Sequence, residues 1–368
     1  MAKKPRGKAK TDPTKNPATA SLLAALKFIE PASREEGQIN QIHCALTGGW
    51  AASFDGTLCM AAKIDTDIVC YPNTKRLISV LSKCKDTTQI TQLDNERLHV
   101  KSGRFDAYVP CIDPALFSIT PPDPPAFPID KKLIDACNIV GKLVAENAER
   151  MVEACVLVRN GSCVATNGVI LFEQWHGWQL PFRAVVPKLF ISQLGKIAKL
   201  PTHCGASETT FTIWFEDGSF IRTQQYVEKY PDTDGQIWDN VRAQPYDIPA
   251  GFFDAIDAIE ALADDKNPRV YTIDKGIRTH DGEGVGAFYE IEGIPPDLCF
   301  DIDYVKMFAP HASKVDFVAS VPNGNTLAFF GESFRGLLMH IRCTPQKVER
   351  EPLAVGTSRS DMDDDIPF

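Results

Sequence analysis

Residues 155–224 read CVLVRNGSCVATNGVILFEQWHGWQLPFRAVVPKLFISQLGKIAKLPTHCGASETTFTIWFEDGSFIRTQ. Asn160-Gly161 and Asn167-Gly168 place their glycines 7 residues apart, between short runs rich in Val, Ile and Phe. Asn and Gly tolerate positive φ, so each step marks a tight turn between antiparallel strands. The period then changes. In PKLFISQLGKIAKL, Leu189, Phe190, Leu194, Ile197 and Ala198 recur at helical spacing, and Pro187 suits a first helical turn. FTIWF and SFIRT, joined by Asp217-Gly218, return to strand character.

The same pattern recurs along the chain. Segments of helical periodicity begin near Ser21, Asn73, Asp130, Pro187, Pro249 and Asp301, at intervals of 52, 57, 57, 62 and 52 residues. In NTKRLISVLSKC the apolar face is Leu77, Ile78, Leu81 and Cys84. Paired turns follow the odd-numbered helices: Gly48-Gly49 with Asp55-Gly56, Asn160-Gly161 with Asn167-Gly168, and Lys275-Gly276 with Asp281-Gly282. Single turns follow the even ones, at Asp94-Asn95, Asp217-Gly218 and Asn323-Gly324. Chance helix–strand alternation does not match turns in this way, so the chain reads as six repeated units. Two proline-bearing breaks, Pro121 to Pro128 and Tyr230 to Pro249, group them in pairs. The expected class is α+β, with three tandem domains over 19–120, 127–243 and 247–345, each two helices on antiparallel sheets. Residues 1–18 read as a disordered basic arm and 346–368 as a linker with an acidic tail.

Composition narrows the function classes. The 368 residues are 44% hydrophobic and 24% charged, ordinary values for a chain with a sizeable core. No apolar run is long enough to span a membrane, and no apolar stretch follows the basic N-terminus, so neither a membrane partner nor a secretory signal is expected. The 11 cysteines lack any CxxC pair and read as buried thiols of a cytoplasmic protein, with no metal site. The net charge of −9 excludes a broadly basic nucleic-acid coat but not a local basic face. GxGxxG, Walker, HExxH and GxSxG patterns are all missing, so no enzyme and no cofactor is expected. His176, beside Trp175 and Trp178, reads as a packing or surface residue, and Asp301 and Asp303 as helix-start acids.

Three stretches carry a resemblance to a known family. VATNGVILFEQWHG, RAVVPKLFISQL and FEDGSFIRTQQYVEKYPD resemble the middle domain of the bacterial sliding clamp, the β subunit of DNA polymerase III. VKSGRFDAYVPCIDPALFSI is similar to the close of that family's first domain, and EIEGIPPDLCFDIDYVKMF to its last helix entry. The resemblance covers about residues 19–345 and rests on motif order and spacing. It implies clamp-type domains, a head-to-tail homodimer ring with helices lining the hole, and a processivity role in DNA replication. Lys27, Lys75, Arg76, Lys83, Lys131, Lys132, Lys142, Lys188, Lys196 and Lys199 lie on or beside helices of the first two domains and would face DNA. The helix FFDAIDAIEALADD departs from this, with five acids and no base. The ring contact implied for SGRF is Phe105.

The family's T-D-G-H-R-L turn helps form an apolar cleft for peptides of polymerases and clamp-loader subunits. Its counterpart here is Thr166, Asn167, Gly168, Val169, Ile170 and Leu171, with Val and Ile in place of His and Arg. A more apolar cleft and a plain hairpin turn are both open readings. The family's terminal M-P-M-R-L strand corresponds at best to Cys343, Thr344 and Pro345. The chain ends DMDDDIPF, which resembles the C-terminal tip of bacterial single-stranded DNA-binding protein and departs from the clamp pattern. In such a tip the Phe368 ring would fill an apolar pocket, its carboxylate would meet a base, and Pro367 would limit the ordering cost beside Ile366. Asp363, Asp364 and Asp365 would meet a basic rim. The partners implied are proteins that bind that tip, as for a phage chain using host factors in the bacterial cytoplasm. Two functions remain: a clamp encircling duplex, or a clamp-fold single-stranded DNA-binding, adaptor or decoy protein that does not encircle it.

Overall fold

The structure is a computed structural model and describes residues 17–94, 97–144, 150–264, 268–279, 286–322 and 324–341. Six helices form near the expected starts: α1 (Pro17–Ile29), α2 (Thr74–Lys83), α3 (Lys131–Gly141), α4 (Lys188–Leu194), α5 (Phe252–Glu260) and α6 (Ile302–Lys306). Four of the starts have a visible local cause. The Asn73 side chain accepts the Arg76 N–H ahead of α2, and the Asp130 carboxylate accepts the Lys132 N–H ahead of α3. Each cap satisfies a first-turn N–H that has no helical partner and contributes about 1 kcal/mol. Pro187 opens α4, and Gly251, at φ 79°, gives α5 a left-handed entry.

The glycine turns make hairpins. Gly48 and Gly49, at φ 58° and 76°, join Ala45–Thr47 to Trp50–Phe54. Asn160-Gly161 and Asn167-Gly168 join Cys155–Val158, Ser162–Thr166 and Ile170–Trp175 into a meander. One expected turn is displaced by a residue. Between Arg269–Ile273 and Gly276–Thr279 the left-handed residue is Lys275, at φ 64°, and Gly276 already opens the next strand. A Cβ on Gly276 would lie 2.5 Å from the Phe288 ring and the Tyr289 carbonyl oxygen, so this glycine permits close strand approach. The expected turns at Asp94-Asn95, Asp281-Gly282 and Asn323-Gly324 include residues outside those described.

The described residues divide into two compact units, one within 17–248 and 304–339, the other within 249–303 and 340–341. In the first unit a seven-stranded sheet runs Ala45–Thr47, Trp50–Phe54, Leu58–Lys63, Phe220–Gln224, Thr210–Phe215, Pro201–Ala206, Phe127–Pro128. An eight-stranded sheet runs Ala184–Pro187, Cys155–Val158, Ser162–Thr166, Ile170–Trp175, Phe334–Met339, Gly324–Gly331, Lys314–Val321, Tyr246–Asp247. A three-stranded sheet, Thr88–Asp94, Arg97–Ser102, Phe105–Pro110, completes the unit. Two pairings join strands far apart in sequence: Ala61 opposite Phe220, and Leu338 opposite Ile170. The proline joint is zipped onto the first sheet. Arg222 Nη1 donates to the carbonyls of Thr120 and Pro121, the Asp123 carboxylate accepts the hydroxyls of Thr210 and Thr212, and Trp214 Nε1 donates to the Asp123 carbonyl. The second unit holds a four-stranded sheet, Phe288–Glu290, Gly276–Thr279, Arg269–Ile273, Cys299–Asp301, with α5 packed on it through Phe252 and Phe300.

The cores follow the helical and alternating patterns. Leu22, Leu26 and Ile29 of α1, Leu133, Cys137 and Val140 of α3, and Phe190 and Leu194 of α4 are buried. Phe172, Phe308, Phe329 and Phe334 form an aromatic cluster, with Phe308 stacked on Phe329 at 4.1 Å between centroids. All described pairings are antiparallel, and the class is α+β. None of the ten described cysteines is disulfide-bonded, and nine are buried. No described helix is long and apolar enough to cross a membrane.

Candidate nucleic-acid faces and partner cleft

α1 packs against α2, and α3 against α4. Burying Leu77, Ile78 and Leu81 turns Arg76, Ser79 and Lys83 of α2 outward. On α1 the outward residues include Ser21, Ala24 and Lys27. Lys132 on α3, Lys142 just after it, and Lys196 just after α4 are also exposed. These six bases make no ion pair among the described residues. The other four have partners. Lys75 pairs with Glu35 at 2.6 Å, and that hydrogen bond holds the Glu35 carboxyl below its ordinary range. Lys131 pairs with Asp135 at 3.4 Å. Lys188 Nζ donates to the Val144 carbonyl. Lys199 pairs with Asp217 at 2.6 Å and lies 3.8 Å over the Phe28 ring.

Charge is segregated by helix. The only carboxylate within α1, α2, α3 and α4 is Asp135, in a chain of net charge −9. α5 carries Asp254, Asp257 and Glu260 and no base. The first four helices therefore each carry more bases than acids, and α5 only acids.

The 166–171 turn is internally satisfied. Thr166 Oγ1 donates to the Ile170 carbonyl and accepts the Gly168 N–H. Asn167 Oδ1 accepts the N–H groups of Val169 and Ile170, and Asn167 Nδ2 donates to Tyr304 Oη at 3.1 Å. Gly168 holds φ 85°, which a side chain would strain. Leu171 and Ile170 are buried; Leu171 joins a cluster with Tyr230, Trp238, Ala319, Ala328 and Leu337. The strand beside the turn is Phe334–Met339, and the Met339 N–H donates to the Val169 carbonyl at 2.9 Å. Val169 and Met339, 40% and 58% exposed, present an apolar edge there. Cys343, Thr344 and Pro345 lie outside the described residues, as do Asp363, Asp364, Asp365, Ile366, Pro367 and Phe368. Phe105 is half-buried and opens Phe105–Pro110, an outer strand of its sheet, opposite Ser102 across a turn at Gly103.

At the other end of the same hairpin lies an ion cluster that sequence reasoning missed. Glu173, 1% exposed, accepts Arg159 Nη2 and Ser162 Oγ on one oxygen and Arg335 Nε on the other. Asp234 accepts both Nη atoms of Arg159. Burial works against the Arg159 charge, but the hydrogen bonds to Asp234 and Glu173 outweigh it and raise its pKa. The Arg335 guanidinium lies 4.0 Å from the Trp238 ring centroid and 5.0 Å from that of Trp175. The available signal was one carboxylate inside the apolar run VILFEQW: a buried charge demands a partner. His176 is buried, and its Nδ1 accepts the Trp178 N–H. No group of three His, Cys, Asp or Glu among the described residues is arranged to hold a metal.

No protein-family profile matches the sequence. No curated protein matches it either. Solved structures do match in fold. The DNA polymerase sliding clamp of Bacillus subtilis superposes with a TM-score of 0.73 at 15% identity, over 89% of this chain and 98% of that one. Caulobacter crescentus pol III beta gives 0.73 at 15%, over 88% and 98%. The Helicobacter pylori beta clamp bound to a DNA ligase peptide gives 0.70 at 14%, over 88% and 99%. The chain has the sliding-clamp fold.

Proposed function

We propose that the chain is a DNA sliding clamp: a replication processivity factor, without catalysis of its own, that encircles duplex as a homodimer ring. The observation that carries this is the coincidence of the clamp fold with acid-poor basic helix faces in an otherwise acidic chain. A sliding protein needs diffuse attraction to phosphates and no base-specific grip, and unpaired bases on helix faces supply that. The unpaired six, Lys27, Arg76, Lys83, Lys132, Lys142 and Lys196, are assigned this role ahead of Lys75, Lys131, Lys188 and Lys199, whose charges are already engaged. Such a chain works in the bacterial cytoplasm, whether the genome is the host's or a phage's.

Reversing charge at Arg76, Lys83, Lys132 and Lys196 together should weaken duplex binding at least about tenfold and flatten its salt dependence by several counterions. Fluorescence anisotropy with labelled duplex, repeated over a range of salt, reads both. An unchanged slope in the quadruple variant sinks the assignment.

Self-association is proposed through Phe105–Pro110, since an outer strand offers unpaired N–H and C=O groups to a second copy. Phe105→Ala should weaken dimerisation, by at most the roughly 3–5 kcal/mol of a fully buried aromatic. Light scattering across a dilution series measures it. A wild-type chain that stays monomeric at micromolar concentration defeats the ring, whereas a dimer indifferent to the change removes only Phe105.

The apolar edge of Thr166, Gly168, Val169, Ile170 and Leu171 with Met339 is proposed to receive peptides of a polymerase or clamp-loader subunit. A clamp similar in fold has been captured with a DNA ligase peptide. The acidic end is proposed as a second recruiting element, for proteins that bind the single-stranded DNA-binding protein tip.

A further inference from the structure

A cavity of about 670 Å³ opens at the end of the Ser162–Thr166 and Ile170–Trp175 hairpin remote from the 166–171 turn. That volume suits a small ligand or one unit of a polymer. Its floor is the ion cluster, in which Arg159 and Arg335 are balanced by Glu173 and Asp234. Its rim adds Arg183 and Asn160, which the fold leaves partly unused, and Trp175, whose ring already has the Arg335 guanidinium 5.0 Å from its centroid. Arg183 is exposed and makes no ion pair among the described residues. Asn160 Oδ1 accepts the Leu180 N–H, which leaves its Nδ2 free to donate into the cavity. Trp175 is 39% exposed, and the Asp234 side chain is 54% exposed.

We propose that this cavity binds one nucleotide of single-stranded nucleic acid, the base against Trp175 and the phosphate at Arg183. An exposed indole beside an unpaired guanidinium is the pairing that holds unpaired strands. A duplex hides its base faces and could not use Trp175. Asn160 Nδ2 and the Asp234 carboxylate offer a donor and an acceptor to a base edge. The lining is mostly polar, and it presents two carboxylates. An acidic peptide ending in Ile-Pro-Phe would need more apolar wall than this lining offers. The site is separate from the helix faces and stands whether or not the chain encircles duplex.

The test is titration of the full chain with a dye-labelled short oligothymidylate, followed by the anisotropy of the dye and, in chains that keep Trp175, by tryptophan quenching. The wild type should show saturable quenching. Trp175→Ala and Arg183→Glu should each weaken binding roughly five- to hundredfold, and Trp175→Phe should recover part of the loss. Arg183 is exposed, so its variant keeps the fold and isolates the phosphate contact. Thymidine monophosphate should compete. The quadruple helix-face variant should lose duplex binding and keep the quenching, so this site and the clamp reading fail separately. No saturable response in the wild type, or equal affinity in Arg183→Glu, overturns the proposal. Displacement by the peptide DMDDDIPF but not by the nucleotide overturns it in favour of an acidic-peptide site.

Discussion

Glu173→Ala should destabilise the first unit by about 3–5 kcal/mol, because it strips the shared counter-charge from two guanidinium groups at once. Glu173 is 1% exposed, and the Arg159 and Arg335 side chains are 11% and 25% exposed. Both cations are largely withdrawn from water, and Asp234 alone replaces only part of the lost counter-charge, so much of their desolvation cost goes unoffset. Asp234 touches the same arginines but is 54% exposed, and Asp234→Ala should cost no more than about 1 kcal/mol. The contrast matters more than either value: Asp234 accepts two bonds from Arg159 and Glu173 one, yet the buried Glu173 should cost more. Added salt should rescue little in Glu173→Ala, since screening acts on exposed charges. Replacing Glu173, Arg159 and Arg335 together by apolar residues of similar volume should restore most of the stability. Urea midpoints for the four proteins decide the matter. A Glu173→Ala midpoint matching that of Asp234→Ala would show that the cluster is not a buried ion network.

Much of the fold was legible because its signals are local. Leu77, Ile78 and Leu81 announce α2, and Asn73 marks its start; Asp130 does the same for α3. Asn160-Gly161 and Asn167-Gly168 mark turns because few other pairs accept positive φ. Lys275 shows the limit of that rule. A turn in Gly276 seemed to demand the glycine for φ, yet the crowding by Phe288 and Tyr289 demands it instead, and Lys275 takes the left-handed position. Crowding comes from the register of the next strand, Phe288–Glu290, which a reading of the turn alone cannot see. The pairings of Ala61 with Phe220 and of Leu338 with Ile170 were illegible for the same reason. A period of two says which face a side chain takes, not which strand lies alongside.

The candidate site was legible in outline and not in detail. Basic residues on helices could be counted, but Lys75, Lys188 and Lys199 looked the same as Lys83 and Lys196. What separates them is Glu35, the Val144 carbonyl and Asp217, the first two of which lie 40 and 44 residues away along the chain. The charge asymmetry between α1–α4 and α5 survives this sorting, since the acids missing from the first four helices are missing whichever lysines are paired. The strand beside the 166–171 turn is identified by pairing: Leu337, Leu338 and Met339 reach it by register, and the expected Cys343, Thr344 and Pro345 lie outside the described residues.

Deleting Ile366, Pro367 and Phe368 should abolish binding to bacterial proteins that take the single-stranded DNA-binding protein tip, with no change in the unfolding midpoint. The described core ends at residue 341, and QKVEREPLAVGTSRS separates the tip from it by a polar stretch, so the loss removes no described core contact. The ring of Phe368 supplies apolar burial, worth about 1.5–3 kcal/mol when complete. Its carboxylate supplies a charge-assisted contact, and a basic group left facing an empty position would pay its desolvation unrelieved. One residue added after Phe368 should therefore weaken binding nearly as much as the deletion, although every apolar atom remains. Salt should weaken the intact tip through Asp363, Asp364 and Asp365, whose attraction to a basic rim is exposed to screening. Competition by full-length and truncated chains against a labelled terminal peptide measures all three effects. Equal competition by the two chains would reduce the acidic run to a solvated tail, and the charge-segregated helix faces would then carry the functional argument alone.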